Sequence, residues 1–355
     1  MSQKTFKKDG SAYIRSLVEN AIECGRRTAV VTGDYEIDET IKLPSDFTLI
    51  LENAHLRTVE GAHFSIFTNK HSETPEGRTL DGTDRNISII GRGEAILDGG
   101  ADRILEIVPE KTEIPRYKSC LILFSNVDGF KVSGLKLINM QFWATAFVYC
   151  RNGYVGNLEF CADDRRIDKD GVIHHGLIRE EYDDTIIKFA DGVDLREGCN
   201  HIVIENISGF VEDDTVALTA YGSGKMEEGF RVSELPSDIS HVTIKNVRSS
   251  SFCSNVRLLN QGNIKLHDID IDGVYDDSEH SHHLDHGNFA IRIGDKRMYG
   301  YRHCTKEETY NISVKNVYGR SRAVIALAGE IGNLTMFGIE AGEGTPMFYN
   351  WEKVF

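Results

Sequence analysis

HIVIEN, His201 to Asn206, sets Ile202 and Ile204 on one side of an alternating segment and ends on asparagine; forty residues later it returns as HVTIKN, His241 to Asn246. The same pattern, closing on Asn, Gly or Asp, begins at Asn86 (NISIIG), Gly129 (GFKVSG), Asn152 (NGYVGN), Asn263 (NIKLHD), Asn311 (NISVKN) and Asn333 (NLTMFG). Successive starts differ by 43, 23, 49, 40, 22, 48 and 22 residues. Alternation over five or six residues is a strand signal. A recurrent step near 22 is one coil of a solenoid of short strands, so the expected fold is all-β, a parallel β-helix.

A second strand precedes several of these segments: CLILF (from Cys120), AFVYC (Ala146), GVDLR (Gly192), TVALT (Thr215), NVRLL (Asn255), AIRIG (Ala290) and AVIAL (Ala323). Overlaying them puts Val193, Val216, Val256 and Ile291 in one inward row. Asp194, Ala217, Arg257 and Arg292 then point outward. The steps of 40, 48 and 49 residues hold only one such strand each. They are single coils carrying loop excursions at 161–187, 221–239, 275–288 and 296–309. Long loops on a rigid scaffold commonly build a binding site, and plain surface insertion is the alternative. Residues 11–26 read as an amphipathic helix with Tyr13, Ile14, Leu17, Val18, Ala21 and Ile22 on one face, suited to cap the N-terminal end of a single domain spanning 1–355.

The net charge of −15 over 355 residues argues against nucleic acid, whose phosphates attract basic surfaces. No run of about 18 apolar residues marks a membrane span, and the polar start MSQKTFKKDG lacks a signal-peptide core, so a soluble cytoplasmic chain is expected unless a signal was removed. Seven cysteines without a CxxC pair fit reduced thiols, and Cys150 and Cys199 are expected to stack as packing residues.

VEDDTVAL, Val211 to Leu218, opens the strand at Val216 with Glu212, Asp213 and Asp214. In the overlay Asp191 occupies the place of Asp214 one coil earlier. With strands about 4.8 Å apart, the two carboxylates stack with Asp213 beside them. Asp residues also make turns at corners, but a turn needs one acceptor, and stacking like charges raises pKa values and costs stability. On that reading Asp214→Asn would leave the melting temperature unchanged or raise it. Carboxylates with separated pKa values are what acid/base glycoside hydrolysis uses.

From about Ala95 to Asp295 the chain resembles the polygalacturonase-type glycoside hydrolases, family 28. The family's Asn-Thr-Asp-Gly is met by FADG with Asp191, its Gly-Asp-Asp by EDD with Asp213 and Asp214, and its Arg-Ile-Lys by RIG at Arg292. NMQFWATAFVYCRNGYVGN, 139–157, is similar to its Asn-Ser-Pro-x-Trp strand and the coil after it. The resemblance implies a right-handed β-helix and an inverting hydrolase of a uronate-containing, pectin-like oligosaccharide. Asp213 would be the general acid, and Asp191 with Asp214 would hold the attacking water. The chain departs from the family where Gly-His-Gly becomes Cys253, Ser254 and Asn255, and where the family Lys becomes Gly294. Arg257 stands where a small residue is usual.

Arg257 and Arg292 either grip a substrate carboxylate or neutralise the aspartates. Asp194, Ser254, Lys296 and His283 complete the expected substrate-contacting set. HSHHLDHG, His280 to Gly287, reads as a solvated loop, a sugar-contacting loop or a metal site, in that order, since no helix puts two of its histidines on one face. His174 and His175 carry the same reading. No cofactor or metal is expected. Competing functions on the same fold are a lyase, an epimerase, a fructan-type transferase, or a carbohydrate-binding β-helix without catalysis.

Overall fold

A computed structural model describes residues 5–100, 119–163, 165–167, 170, 172–175, 190–221, 225–278, 289–294 and 302–350. Two parallel sheets run its length. Among the described residues the first has 11 strands, from Thr28–Ile37 to Gly332–Ala341, and the second has ten, from Ile41–Leu43 to Phe348–Asn350. Each coil contributes a long strand to the first sheet and a short one to the second. The second sheet is called the cleft sheet below, because it carries the acidic residues.

The long strands bend because two residues per coil adopt left-handed backbone angles. The first corner is Asp46, Asn86, Asn152, His201, His241, Asp268, Asn311 or Asn333, and the second, five or seven residues on, is Asn53, Asn157, Asn206, Asn246 or Asn316, all with φ between 48° and 57°. Other coils use glycine there, as Gly273 does at φ 83°. Left-handed geometry costs an ordinary L-residue about 1–2 kcal/mol, less for Asn and Asp, whose short side chains bond locally. Here the corner side chains bond to the next coil instead. Asn246 Nδ2 donates to Asn206 Oδ1 at 2.7 Å and Asn206 Nδ2 to Asn157 Oδ1 at 3.0 Å. At the first corner the rings of His201 and His241 stack at 4.6 Å.

The recurring Asn and Gly of the sequence pattern are thus the corners of the coils. One segment was set in the wrong place by that pattern. His241 lies beside Asp268, since Val242 pairs with Ile269, so the coil begins at DIDIDG and NIKLHD from Asn263 precedes it by five residues. Asn263 is also left-handed, at φ 73°, which is why the local signal was the same. The step from 241 to 268 is therefore 27 residues, and that from 268 to 311 is 43.

Inside, the rows close on one another. Val193, Val216, Val256, Ile291 and Ile325 are fully buried in register on consecutive short strands. Cys150 and Cys199 are both buried, and burial pushes both thiols up, Cys199 to about 12, so they pack as inert groups. Helix α1, Gly10–Glu23, covers the N-terminal coil with Ile14, Val18 and Ala21 buried. It is shorter than 11–26. Tyr13 and Ile22 lie at the margin, 40% and 38% exposed, because the covered face is narrower than the apolar stripe. Ser11 Oγ pins the helix by accepting the backbone N–H groups of Asp38 and Glu39.

The excursion at 221–239 contains a short helix, α2 (Lys225–Phe230), that the sequence pattern does not show. Phe230 and Val232 pack on Leu123, Ala146, Val148 and Tyr149 of the cleft sheet, and Tyr149 Oη meets Ser237 Oγ at 2.7 Å. In the excursion at 161–187, Arg165–Ile167 pairs antiparallel with Ile173–His175. Lys296 and His283 lie outside the described residues, as do 279–288 and 295–301. Among the described residues no helix is long and apolar enough to cross a membrane.

Because Asn206 gives both a left-handed corner and two ladder bonds, Asn206→Ala should lower the unfolding midpoint by the equivalent of about 1–2 kcal/mol more than Asn206→Gly, which keeps the backbone angle and loses only the ladder. Equal midpoints for the two variants in denaturant melts would show that the corner geometry carries no strain.

Candidate active site

The register of the cleft sheet assembles the acidic cluster. Val193 pairs with Val216 and Val216 with Val256, so Asp191, Asp214 and Ser254 share one position on successive coils, and Asp213 faces Cys253. Asp191 Oδ1 accepts the backbone N–H of Asp214 at 3.2 Å, while the Gly192 N–H bonds the Asp214 carbonyl at 3.0 Å. Asp194, Ala217, Arg257, Arg292 and Ala326 form the outward row beside them. The residues that the overlay and the family resemblance bring together, Asp191, Asp213, Asp214, Asp194, Ser254, Arg257 and Arg292, are together in space.

Four carboxyls in so small a volume cannot share one environment, and they do not. Asp214 is 4% exposed and is the paired member. The Ser254 hydroxyl donates to its Oδ1, Arg292 approaches both oxygens at 3.3 and 3.4 Å, and Arg257 Nε stands 3.8 Å from Oδ2. Burial still pushes the Asp214 carboxyl above its ordinary value, with Arg257 and Ser254 pulling it back. Asp213 is half-buried and has no such clamp. Burial first and repulsion from Asp214 second push it up to about 7, against the Cys253 thiol and Arg257. Burial also drives Asp191 and Asp194 well above the carboxylate range; repulsion from Asp194, Asp213 and Asp214 adds to it at Asp191, and at Asp194 Arg196 pulls back while Asp214 and Asp213 add to it.

The result is a partly open carboxyl that holds a proton near neutrality, next to a carboxyl contacted by Ser254 and two guanidinium groups, which favour its ionised form against burial. Such a pair can deliver a proton to one side of a bond while a neighbouring carboxylate accepts one from water.

Several contributors escaped the reading of the sequence. Arg196 follows Asp194 by two residues, so strand period already puts it on the outward face. Its guanidinium lies 4.7 Å over the Trp143 ring and 5.0 Å over that of Tyr221, making an aromatic and cationic wall beside Asp194. Trp143 stacks in turn on Phe142 at 4.4 Å. Cys253, which stands in place of the first glycine of Gly-His-Gly in the resembling family, is only half-buried and sits against Asp213. Ser251 ties the two, accepting the Cys253 N–H at 3.0 Å and donating to the Asp213 carbonyl. Asx and Ser bridges between coils leave no signature in a linear pattern.

Among the described residues no group of three or more His, Cys, Asp or Glu is arranged to hold a metal ion. His174 and His175 stand in the antiparallel pair, opposite Arg166 and Arg165.

The sequence matches no protein-family model, and no curated protein matches it. The fold does have likenesses among solved structures. It is similar to an iota-carrageenase complexed to iota-carrageenan fragments (TM-score 0.62, 10% identity, 98% of this chain and 89% of that one). It is similar to a 1,3-alpha-1,4-beta-D-galactose-4-sulfate-3,6-anhydro-D-galactose-2-sulfate 4 galactohydrolase (TM-score 0.60, 11% identity, 98% and 91%). A third likeness is the polygalacturonase from Erwinia carotovora ssp. carotovora (TM-score 0.52, 12% identity, 99% and 94%). At these identities the likeness is one of fold, the right-handed parallel β-helix.

Since Asp214 is paired, relief of repulsion is expected at Asp213 rather than at Asp214. The Asp213 carboxyl is at about 7 in the folded chain against an ordinary 3.8, so the folded state binds the extra proton between those values. Stability tied to this proton is present below 3.8 and is lost as pH rises through about 7. Asp213→Asn should therefore melt with the wild type near pH 4 and above it near pH 8, by on the order of 2 kcal/mol once partial exposure and shared repulsion are discounted. A variant that melts at or below the wild type near pH 8 would contradict this assignment.

Proposed function

We propose that the chain is a glycoside hydrolase that cleaves acidic oligosaccharides with inversion at the anomeric carbon. The observation that carries this reading is the pairing of a half-buried Asp213, protonated to about 7, with an Asp214 clamped by Arg292 and Arg257 one residue on. Asp213 donates its proton to the glycosidic oxygen as the bond to the anomeric carbon breaks. Asp191 and Asp214 take a proton from the water that attacks the opposite face of the sugar. The fold likeness to a polygalacturonase and an iota-carrageenase supports hydrolysis of a glycan carrying anionic groups.

Arg292 has five donors, and its Nη2 bonds both oxygens of Asp214. On this reading its guanidinium bridges the clamped carboxylate and an anionic group of the sugar at the cleavage point. Arg257 supplies part of what the missing histidine and lysine give in the resembling family. Ser254 holds Asp214 in place, and Arg196 with Trp143 and Tyr221 forms the wall for a neighbouring sugar ring. A uronate is the anion first expected. The net charge of −15 repels such a substrate at long range, so close charge-assisted bonds must recover it.

Asp213→Asn should lower kcat by about 10²–10⁴-fold with little change in substrate binding, as loss of a general acid does. A variant near the wild-type rate would remove the mechanism. Arg292→Lys should cost about tenfold or more in kcat/KM on an acidic oligosaccharide and far less on its carboxyl-reduced analogue. Equal wild-type turnover of acidic and reduced substrates would leave both arginines as counter-charges for the aspartates.

A further inference from the structure

The turn that joins the long strand Ile239–Ser251 to the short strand Ser254–Asn260 lies one coil beyond the turn carrying Asp213 and Asp214. Its polar side chains are closed to solvent: Ser249 and Ser251 are 1% exposed, and Asn255 is fully buried, as is Thr215, the residue after Asp214. Asn255 Nδ2 donates to the Ser249 carbonyl and to the Ser249 hydroxyl, each at 2.7 Å, and that hydroxyl meets Thr215 Oγ1 at 2.9 Å. The Ser251 hydroxyl donates to the Asp213 carbonyl. On the previous coil the Ala190 carbonyl accepts the Asp213 N–H at 3.4 Å, so the backbone of Asp213 is held from both sides.

Satisfaction of buried polar groups does not account for Asn255. The Ser249 carbonyl also accepts the Asp277 N–H at 2.9 Å, and the Ser249 hydroxyl keeps Thr215, so neither would be orphaned without the amide. Among the described residues Asn255 Oδ1 meets no donor, and turning the amide over would set that oxygen against the Ser249 carbonyl. A buried acceptor without a donor costs stability. A side chain that adds redundant bonds at such a cost fixes geometry. It locks residues 249–255 in one shape, and that turn holds Asp213 through Ser251 and the start of the Asp214 strand through Thr215.

We propose that Asn255 and Ser251 are positioning residues that fix the turn bearing Asp213 and so set its carboxyl in the cleft beside Asp214. Both are closed to solvent and act through the acid pair, and the catalytic consequence rests on the hydrolase reading.

Asn255→Ala should lower kcat by about tenfold or more with KM within about threefold of the wild type, while the melting temperature stays level or rises. Ser251→Ala should lower kcat by about tenfold or more, and Ser251→Thr, which keeps the hydroxyl, should recover most of that loss. In an Asp213→Asn background Ser251→Ala should add no further loss, because the group it positions is already gone. Independently of any substrate, carbon NMR of the aspartate carboxyls, with Asp213→Asn identifying the signal, follows Asp213 as it titrates at about 7 in the wild type. Released from Ser251 the carboxyl gains solvent, and in Ser251→Ala its midpoint should fall by about one unit or more toward 3.8.

A purely structural role gives other results: Asn255→Ala melts lower and turns over normally per folded molecule, or the losses of Ser251→Ala and Asp213→Asn multiply. Either overturns the proposal, as does an unmoved Asp213 midpoint in Ser251→Ala. Should the wild type turn over no acidic oligosaccharide, the hydrolase reading fails, and the Asp213 midpoint still decides whether Ser251 positions that carboxyl.

Discussion

The spacing between adjacent coils, close to 4.8 Å, is the constraint on which everything else rests. It is enforced at the corners, where left-handed Asn residues bond from one coil to the next and where His201 and His241 stack. Given that spacing, whatever occupies one position on consecutive coils is brought to hydrogen-bond range. Apolar rows become a dry core through Val193, Val216, Val256 and Ile291. The same rule applied at the mouth of the cleft sheet brings together Asp191, Asp214 and Ser254, with Asp213 alongside. The scaffold that stabilises the chain is thus also what concentrates like charges at one site.

How the site tolerates those charges is a matter of unequal partners. Asp214 receives Ser254 and two arginines. Asp191 receives a backbone N–H. Asp213 receives a weak thiol neighbour and some solvent. Asp194 receives no donor at all among the described residues. These unequal surroundings give the four carboxyls unequal costs for a negative charge, burial raising Asp191 and Asp194 well above the carboxylate range and Asp213 to about 7. One member is paired with two guanidinium groups that favour its charge, and another is raised to about 7 by burial and by the neighbouring Asp214. A chemistry that needs an acid and a base side by side at neutral pH gains both from this inequality.

Much of this was legible in the sequence because β-helix coils write their register in period-2 alternation. The overlay of GVDLR on TVALT and NVRLL placed Asp191 over Asp214 and put Asp194, Arg257 and Arg292 on one face, and the pairing of the strands follows it. Where the overlay slipped, at NIKLHD, a left-handed Asn263 lies five residues before the true corner at Asp268, so two identical local signals competed and only inter-coil pairing separates them. Helix α2 was illegible because its six residues are held by packing of Phe230 and Val232 on the cleft sheet rather than by any helical period of their own. Arg196 follows from strand parity two residues after Asp194, while the role of Cys253 depends on a serine bridge that no spacing announces.

The stereochemical outcome of cleavage tests the assignment of acid and base most directly. Proton NMR of an acidic oligosaccharide, followed from the first minutes of incubation before mutarotation, reports both the newly formed reducing end and its anomeric configuration. The arrangement of Asp213, Asp191 and Asp214 predicts a first product of inverted configuration with the wild type and none with Asp213→Asn. A retained configuration, or an unsaturated product carrying a new double bond, would contradict the assignment of acid and base and return the fold to another chemistry.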